Sequence, residues 1–273
     1  MKYIRSFVSA MLLVAALPSS HAVSVVNQGS WETTLLGRDI NGNATDASAS
    51  ETVFLYDTVL NITWLRDANY ARTIGMNTQH GGGMSLRQAK AFASTLSIGG
   101  FGDWRLPKVV DTGTLGCNLA NSQTDCGYNV QTMSNGVVYS EMAHLYYKTL
   151  GNKGFKDASG KWNFPTGQSG LTNTATFKNL SGDFYWEESD RFTPTYSAWS
   201  FRTYTGLQDT VNSGNPYLTM FVRDGDVAAV PESSSINLGL MGLSVALALA
   251  RRKQKKPIAS ASIVRQTIGS SGA

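Results

Sequence analysis

Hydrophobic and polar positions change their period several times along this chain, and each change predicts an element. Val53-Phe54-Leu55-Tyr56 and Ile62-Thr63-Trp64-Leu65 are short β-branched and aromatic runs flanking the polar stretch 57–61, which predicts a β-hairpin. From Met84 to Ser97, Leu86, Ala89, Phe92, Ala93 and Leu96 recur at helical spacing. Ser85 stands three residues before Gln88 as a capping box, and Gly99-Gly100 supplies the stop. A second helix is expected from Glu141 to Leu150, with Ser140 as N-cap, Glu141 in the first turn and Gly151 as C-cap. Residues 151–183 are rich in Gly, Asn, Thr and Ser and have little period, which predicts a long surface loop or several turns, where binding sites often lie.

Three aromatic runs follow, 184–186, 198–204 and 217–223. In the middle one Trp199, Phe201 and Thr203 share one face, and Ser200, Arg202 and Tyr204 the other. Ahead of the hairpin, residues 23–50 read as a lead-in strand over Val23 to Val26 and a polar loop with a turn signal at Asp39-Ile40-Asn41-Gly42. Many short antiparallel strands with two helices predict an α+β domain.

The two ends carry a different texture. Lys2 and Arg5 precede an apolar stretch from Phe7 to Leu17, then Pro18 and the small-x-small site Ser20-His21-Ala22, so residues 1–22 read as a cleavable signal peptide. Near the other end an apolar run, 236–250, is followed by Arg251-Arg252-Lys253 and Lys255-Lys256. Apolar segment then basic cluster is a stop-transfer pattern that keeps the cluster, and the tail 254–273, cytoplasmic. As a helix the run is about 22 Å long against a hydrocarbon core of about 30 Å, a marginal transmembrane span.

Charge belongs mostly to those ends. The whole chain is +4, but residues 23–230 hold 15 basic and 18 acidic side chains. The exported part is therefore mildly acidic, which gives no support to nucleic-acid binding. Cys117 and Cys126 are the two cysteines, separated by eight residues of a polar loop. In an oxidising compartment a disulfide is expected, with free thiols or a metal pair as alternatives; a metal pair lacks a third cysteine and a nearby histidine.

Val230-Pro231-Glu232, the apolar run and Arg251-Arg252 together resemble the PEP-CTERM sorting signal, residues 230–253 here, which a transpeptidase-like membrane exosortase recognises. Ser233 stands where that signal usually has a second proline, and residues 254–273 run past its usual end. A second resemblance rests on Asp103-Trp104-Arg105-Leu106-Pro107 with 60–67, Tyr185-Trp186-Glu187-Glu188-Ser189, Ala198-Trp199-Ser200-Phe201 and Val222-Arg223-Asp224-Gly225. These strings, in this order, resemble the Lcl C-terminal domain-like family over about residues 51–228. That likeness implies a C-type-lectin-like fold and, from its better understood members, binding of glycans or matrix polymers. Tyr185-Trp186-Glu187-Glu188 replaces the family's usual Tyr-Trp-Ser-Ser, and the calcium-lectin triplets Glu-Pro-Asn, Gln-Pro-Asp and Trp-Asn-Asp are absent from the sequence.

Within the strings, Trp104 and Leu106 read as core, Arg105 as the partner of a carboxylate and Pro107 as a strand stop. His80 and His144 are the mature chain's histidines, one in a loop and one in the second helix, where packing is the simpler reading. No H-E-x-x-H, G-x-S-x-G or P-loop pattern occurs. Glu187, Glu188 and Asp190, and Asp224 with Asp226, are the acid groups a glycoside hydrolase would need, but neighbours on a strand face opposite ways. The aromatics Tyr185, Trp186, Tyr196, Trp199, Tyr204 and Tyr217 cluster in the last third, and sugars stack on such rings. The expectation is a non-enzymatic protein, exported, anchored at least transiently and then at the cell surface or in an extracellular matrix. It has no cofactor, metal or catalytic residue. Exosortase, secretion machinery and membrane are its partners, and Tyr185, Trp186, Glu188, Trp199, Arg202 and Tyr204 the candidate contacts to a polysaccharide. A carbohydrate hydrolase and a purely structural matrix component are the contrasting readings.

Overall fold

A computed structural model describes residues 28–228 apart from 77, 79–80, 113–116, 118, 123, 166–167 and 190–196. The signal peptide (1–22), the sorting signal (230–253) with its apolar run, the tail, His80, Asp190 and Tyr196 lie outside the described residues. No helix among the described residues is long and apolar enough to cross a membrane.

In chain order the elements are α1 (Trp31–Thr34), β1 (Leu35–Arg38), β2 (Ala44–Thr45), β3 (Phe54–Asp57), β4 (Ile62–Leu65), α2 (Tyr70–Thr73) and α3 (Leu86–Thr95). Then come β5 (Gly127–Tyr128), β6 (Met133–Ser134), β7 (Val137–Val138), α4 (Glu141–His144), a π-helical turn (Leu145–Thr149), β8 (Phe184–Trp186), β9 (Ser197–Arg202), β10 (Leu207–Asn212) and β11 (Val222–Asp224). One antiparallel sheet has the order β11-β4-β3-β1-β2 and a second β5-β10-β9-β8, while β6 and β7 form a small hairpin of their own. The domain is α+β, a mixture of helices and antiparallel sheets.

The predicted hairpin is β3–β4, in register from Phe54↔Leu65 to Asp57↔Ile62. Its turn closes because Asp57 Oδ1 accepts the amides of Val59 and Leu60 at 3.0 and 3.1 Å and Asn61 takes a left-handed φ of 53°. Every β4 residue is buried because the sheet is covered on both sides. Leu55, Ile62 and Trp64 join one apolar cluster, while Phe54 and Leu65 join another with Trp104, Leu106, Trp186 and Phe221. Period-2 alternation thus feeds two cores from one sheet.

α3 begins as its sequence predicts. Ser85 Oγ accepts from the Gln88 amide at 3.4 Å while Gln88 Oε1 accepts from the Ser85 amide at 3.0 Å. It buries Ala89 and Ala93, sets Phe92 edge-on to Phe221 at 5.3 Å, and stops before Gly99, whose φ of +62° suits glycine. Ser140 caps α4, its Oγ accepting from the Ala143 amide at 3.0 Å. The helix expected over 141–150 is present but widens into the π-helical turn after His144, a backbone insertion that side-chain periodicity does not reveal.

Asp103-Trp104-Arg105-Leu106-Pro107 is architecture. Trp104 and Leu106 are buried, and Trp104 stacks on Phe54 at 5.7 Å. Arg105 grips Glu141 with both terminal nitrogens at 2.8 Å and reaches Asp224 Oδ1 at 2.5 Å. Glu141, expected to serve the helix dipole, is therefore the buried half of a two-pronged ion pair that also accepts the Lys108 amide at 2.7 Å. Arg38 joins the other acid of that region, Asp226, at 2.6 Å.

Two of the longer strands were not expected from the sequence. Leu35–Arg38, inside the stretch read as a polar loop, pairs fully with β3. Its run Leu-Leu-Gly-Arg is too short to show a period, and Leu36 is exposed. Leu207–Asn212 pairs with β9 along its whole length, although Leu-Gln-Asp-Thr-Val-Asn is polar enough to pass for a loop. The run 217–223 is regular strand only at β11, with Tyr217 and Leu218 making single bridges to Met84 and Tyr185. Cys117 and Cys126 form a disulfide.

Candidate functional site

Register builds the site. Phe184 stands opposite Arg202, Arg202 opposite Leu207, and Leu207 opposite Tyr128. Residues directly opposite share a face, so these four form one row across β8, β9, β10 and β5. This is the end of the sheet nearest the turn 203–206. Towards the other end of the same face, Trp186, Ala198 and Val211 join the cluster that includes Ala89 and Ala93 of α3.

Aromatic rings extend the row outward. Tyr217 stacks on Phe184, centroids 4.5 Å apart and planes 13° from parallel. Tyr204 lies 5.7 Å from Phe184 and 6.4 Å from Phe155. Phe155 is 6.1 Å from Trp162 and 6.3 Å from Phe164. Trp162 is 61% exposed, the most exposed large apolar side chain among the described residues.

The segment that carries Trp162 is a braced finger. Lys156 and Trp162 bridge antiparallel, the Asp157 amide donates to Lys161 O at 2.8 Å, and the Asn163 amide to Phe155 O at 2.7 Å. At its tip Asp157 Oδ1 accepts from the Ser159 hydroxyl at 2.6 Å and from the amides of Ser159 and Lys161 at 2.9 Å each. Those bonds, the Ser159 hydroxyl first, hold the Asp157 carboxyl below its usual range. At the base the Phe155 amide donates to Thr205 O at 2.8 Å. An Asx turn closed this way keeps the finger open to solvent without fraying.

Charge sits beside the rings. Lys156 Nζ is 5.8 Å from the Tyr128 centroid and 5.3 Å from that of Trp162. The Arg202 guanidinium lies 4.6 Å from the Phe184 centroid and pairs through Nη2 with Asp209, while its buried Nε has no hydrogen-bond partner among the described residues. Burial pushes Asp209 upward against the pull of Arg202 and Ser200, and burial also raises the Tyr128 hydroxyl. Such a surface can stack pyranose rings and donate hydrogen bonds to their oxygens. A cleft of about 310 Å³, lined by Met84, Ser85, Gln88, Gly214 and Pro216 among others, lies beside the Met84–Tyr217 bridge.

Of the six candidate contacts read from the sequence, the structure brings Arg202 and Tyr204 to this face, both half-buried. The structure places the other four away from it. Tyr185 is fully buried on the opposite face, its hydroxyl accepting from the Ser181 amide at 3.2 Å. Trp186 is fully buried, and its indole donates to Met84 O at 2.7 Å. Trp199 packs against Val109 and the disulfide, and Glu188 binds Lys90 of α3 at 2.6 Å. Aromatic content flagged the strands, but depth within the domain, which alternation alone does not give, decides which rings meet solvent. Tyr128, Phe155, Lys156 and Trp162 went unnoticed in the sequence. The signal that could have found them is Asp157-Ala158-Ser159-Gly160, a turn string flanked by Phe155 and Trp162.

Glu187 and Glu188 point to opposite sides, as adjacent strand residues must. Glu187 is buried, accepts from the Ser140 hydroxyl at 3.0 Å, and is pushed well above the usual carboxylate range by burial. His144 is buried too, and burial, helped by Lys148, lowers its pKa to about 4. Among the described residues no group of three or more His, Cys, Asp or Glu side chains could hold a metal ion. Comparison with protein-family models, with curated proteins and with solved structures returned no match.

Proposed function

We propose that this chain is a non-enzymatic, lectin-like glycan-binding protein, exported by its N-terminal signal and handled by an exosortase through 230–253. It serves at the cell surface or in the surrounding polysaccharide. The observation that carries the binding half is the presentation of Trp162, open to solvent on a braced finger and linked by successive ring contacts to Phe155, Tyr204, Phe184 and Tyr217, with Lys156 beside Trp162 and Arg202 beside Phe184. The resemblance to the Lcl C-terminal domain-like family and the two topogenic ends support the surface half. A hydrolase gains nothing from Glu187 and Glu188, because one is buried and the other engages Lys90.

A glycan array probed with the folded protein, then with Trp162→Ala and Tyr204→Ala, tests the binding half. Retention of one polysaccharide class by the natural sequence, reduced about tenfold or more by either substitution, is the expected result. An empty array would leave a purely structural matrix protein as the better reading. Mass spectrometry of the mature ends tests the sorting half: an intact C-terminus in the native host sinks it.

A further inference from the structure

The disulfide lies next to the row just described. Cys126 is buried against Val109 and Trp199 with Cys117 packed beside it, and the two residues that follow it are β5. The Tyr128 amide donates to Ala120 O at 2.8 Å, so the loop closed by the disulfide folds back on the strand that carries Tyr128. The fold-back is tight: at Gly127, with φ +131°, a Cβ would lie 2.0 Å from Ala120 O. Asp125 O accepts from the Gln208 side chain at 2.7 Å, fixing the loop to β10.

From that loop two contacts reach the finger. Asn129 Nδ2 donates both to Asn121 O, inside the disulfide loop, and to Lys156 O, in the finger, each at 2.8 Å. The Asn121 side chain also lies against Gly160, where a Cβ would stand 2.8 Å from its Nδ2. Thr205 holds the finger's base, and the disulfide loop holds its flank.

We infer that the Cys117–Cys126 disulfide is a switch for this face: forming it seats the Asn121 and Asn129 contacts that hold the Trp162 finger in binding position. The claim deepens the glycan-binding reading and rests on it. Asn129 is a positioning residue, acting on Lys156 and Trp162 through the backbone of the finger. A small dithiol would open the switch. Its thiolate attacks one cysteine sulfur to give a mixed disulfide; its second thiolate then closes the reagent's own disulfide. Two electrons pass to the protein, and both cysteines leave as thiols. A newly made chain with free thiols would hold the finger loosely and gain the site only on oxidation.

The test uses the full chain with and without a dithiol, and Asn129→Ala with the disulfide intact. Hydrogen exchange is read at the Asp157 and Asn163 amides, and affinity electrophoresis is run in gels holding a neutral glucan or a polyuronate. Far-UV circular dichroism confirms that the domain stays folded. Reduction and Asn129→Ala are each expected to speed exchange of those two amides and to weaken polymer binding about tenfold. Unchanged exchange in folded, reduced protein overturns the switch, as does polymer binding by the oxidised protein that reduction leaves at full strength. Faster exchange together with no polymer bound even by the oxidised protein supports the coupling and instead removes the glycan-binding function.

Discussion

The two ends of the four-stranded sheet use the same residue types for opposite purposes. At one end Trp186, Glu187 and Trp199 lie inside the domain, and aromatic area goes into packing. At the other, Phe184, Arg202 and Tyr128, three or fewer residues along the same strands or their neighbours, are half exposed and joined to the Trp162 finger. Composition does not separate these ends. What separates them is cover: Trp186 and Ala198 share a cluster with Ala89 and Ala93 of α3, whereas the outer row faces turns. An aromatic cluster in a sequence is therefore a statement about a sheet, and only the layer above each position says whether a ring is core or platform.

Substitutions can break or sharpen this contrast. The largest expected effect is at the inner end: Trp186→Ala removes a fully buried ring and its bond to Met84, and should lower unfolding free energy by about 3–5 kcal/mol in a denaturant titration. Next is Arg105→Ala, which strands the buried Glu141 carboxylate and should cost about 3 kcal/mol by the same measurement. A loss below about 1 kcal/mol, the usual worth of a surface pair, would show that the clasp contributes as little as an exposed ion pair.

The buried titratable groups give the interior of the domain a pH signature. Glu187 is raised on folding, so its contribution is complete below its ordinary value of 4.5 and is lost as pH climbs towards the folded value. His144 is lowered, so its contribution is complete above 6.5 and is lost as pH falls towards about 4. Melting temperature against pH should thus fall on both sides. Glu187→Gln should flatten the alkaline arm and His144→Gln the acid arm; arms that keep their slopes in these variants would show that other groups set them. The smallest stability effect belongs to the outer end: Trp162→Ala should shift unfolding by no more than about 0.5 kcal/mol. A large shift there would make the finger part of the core and erase the contrast.

Much of the α+β frame was legible before any coordinates. The β3–β4 hairpin and the capped α3 carry strong local signals, side-chain alternation in one case and a reciprocal hydrogen-bonded cap in the other, and both formed where expected. β1 and β10 escaped because strand pairing there is decided by neighbours far along the chain: Leu35–Arg38 is held by β3, and the polar Leu207–Asn212 by β9. The outer aromatic face was half visible. Arg202 and Tyr204 came from the alternation of a long strand, while Trp162 sits in a stretch whose order comes from Asp157 and from contacts to Thr205 and Asn129.

The pairing of Arg38 with Asp226 joins residues 188 positions apart, and β11 completes the first sheet by docking on β4. Such distant partners make closure a late event in the life of the chain. As the polypeptide emerges from the ribosome, β1, β3 and β4 must wait, with one edge open, until nearly the whole domain has been made. A chain halted before residue 222 would leave β4 with an unfilled edge beside apolar side chains, the circumstance in which a holding chaperone has most to offer.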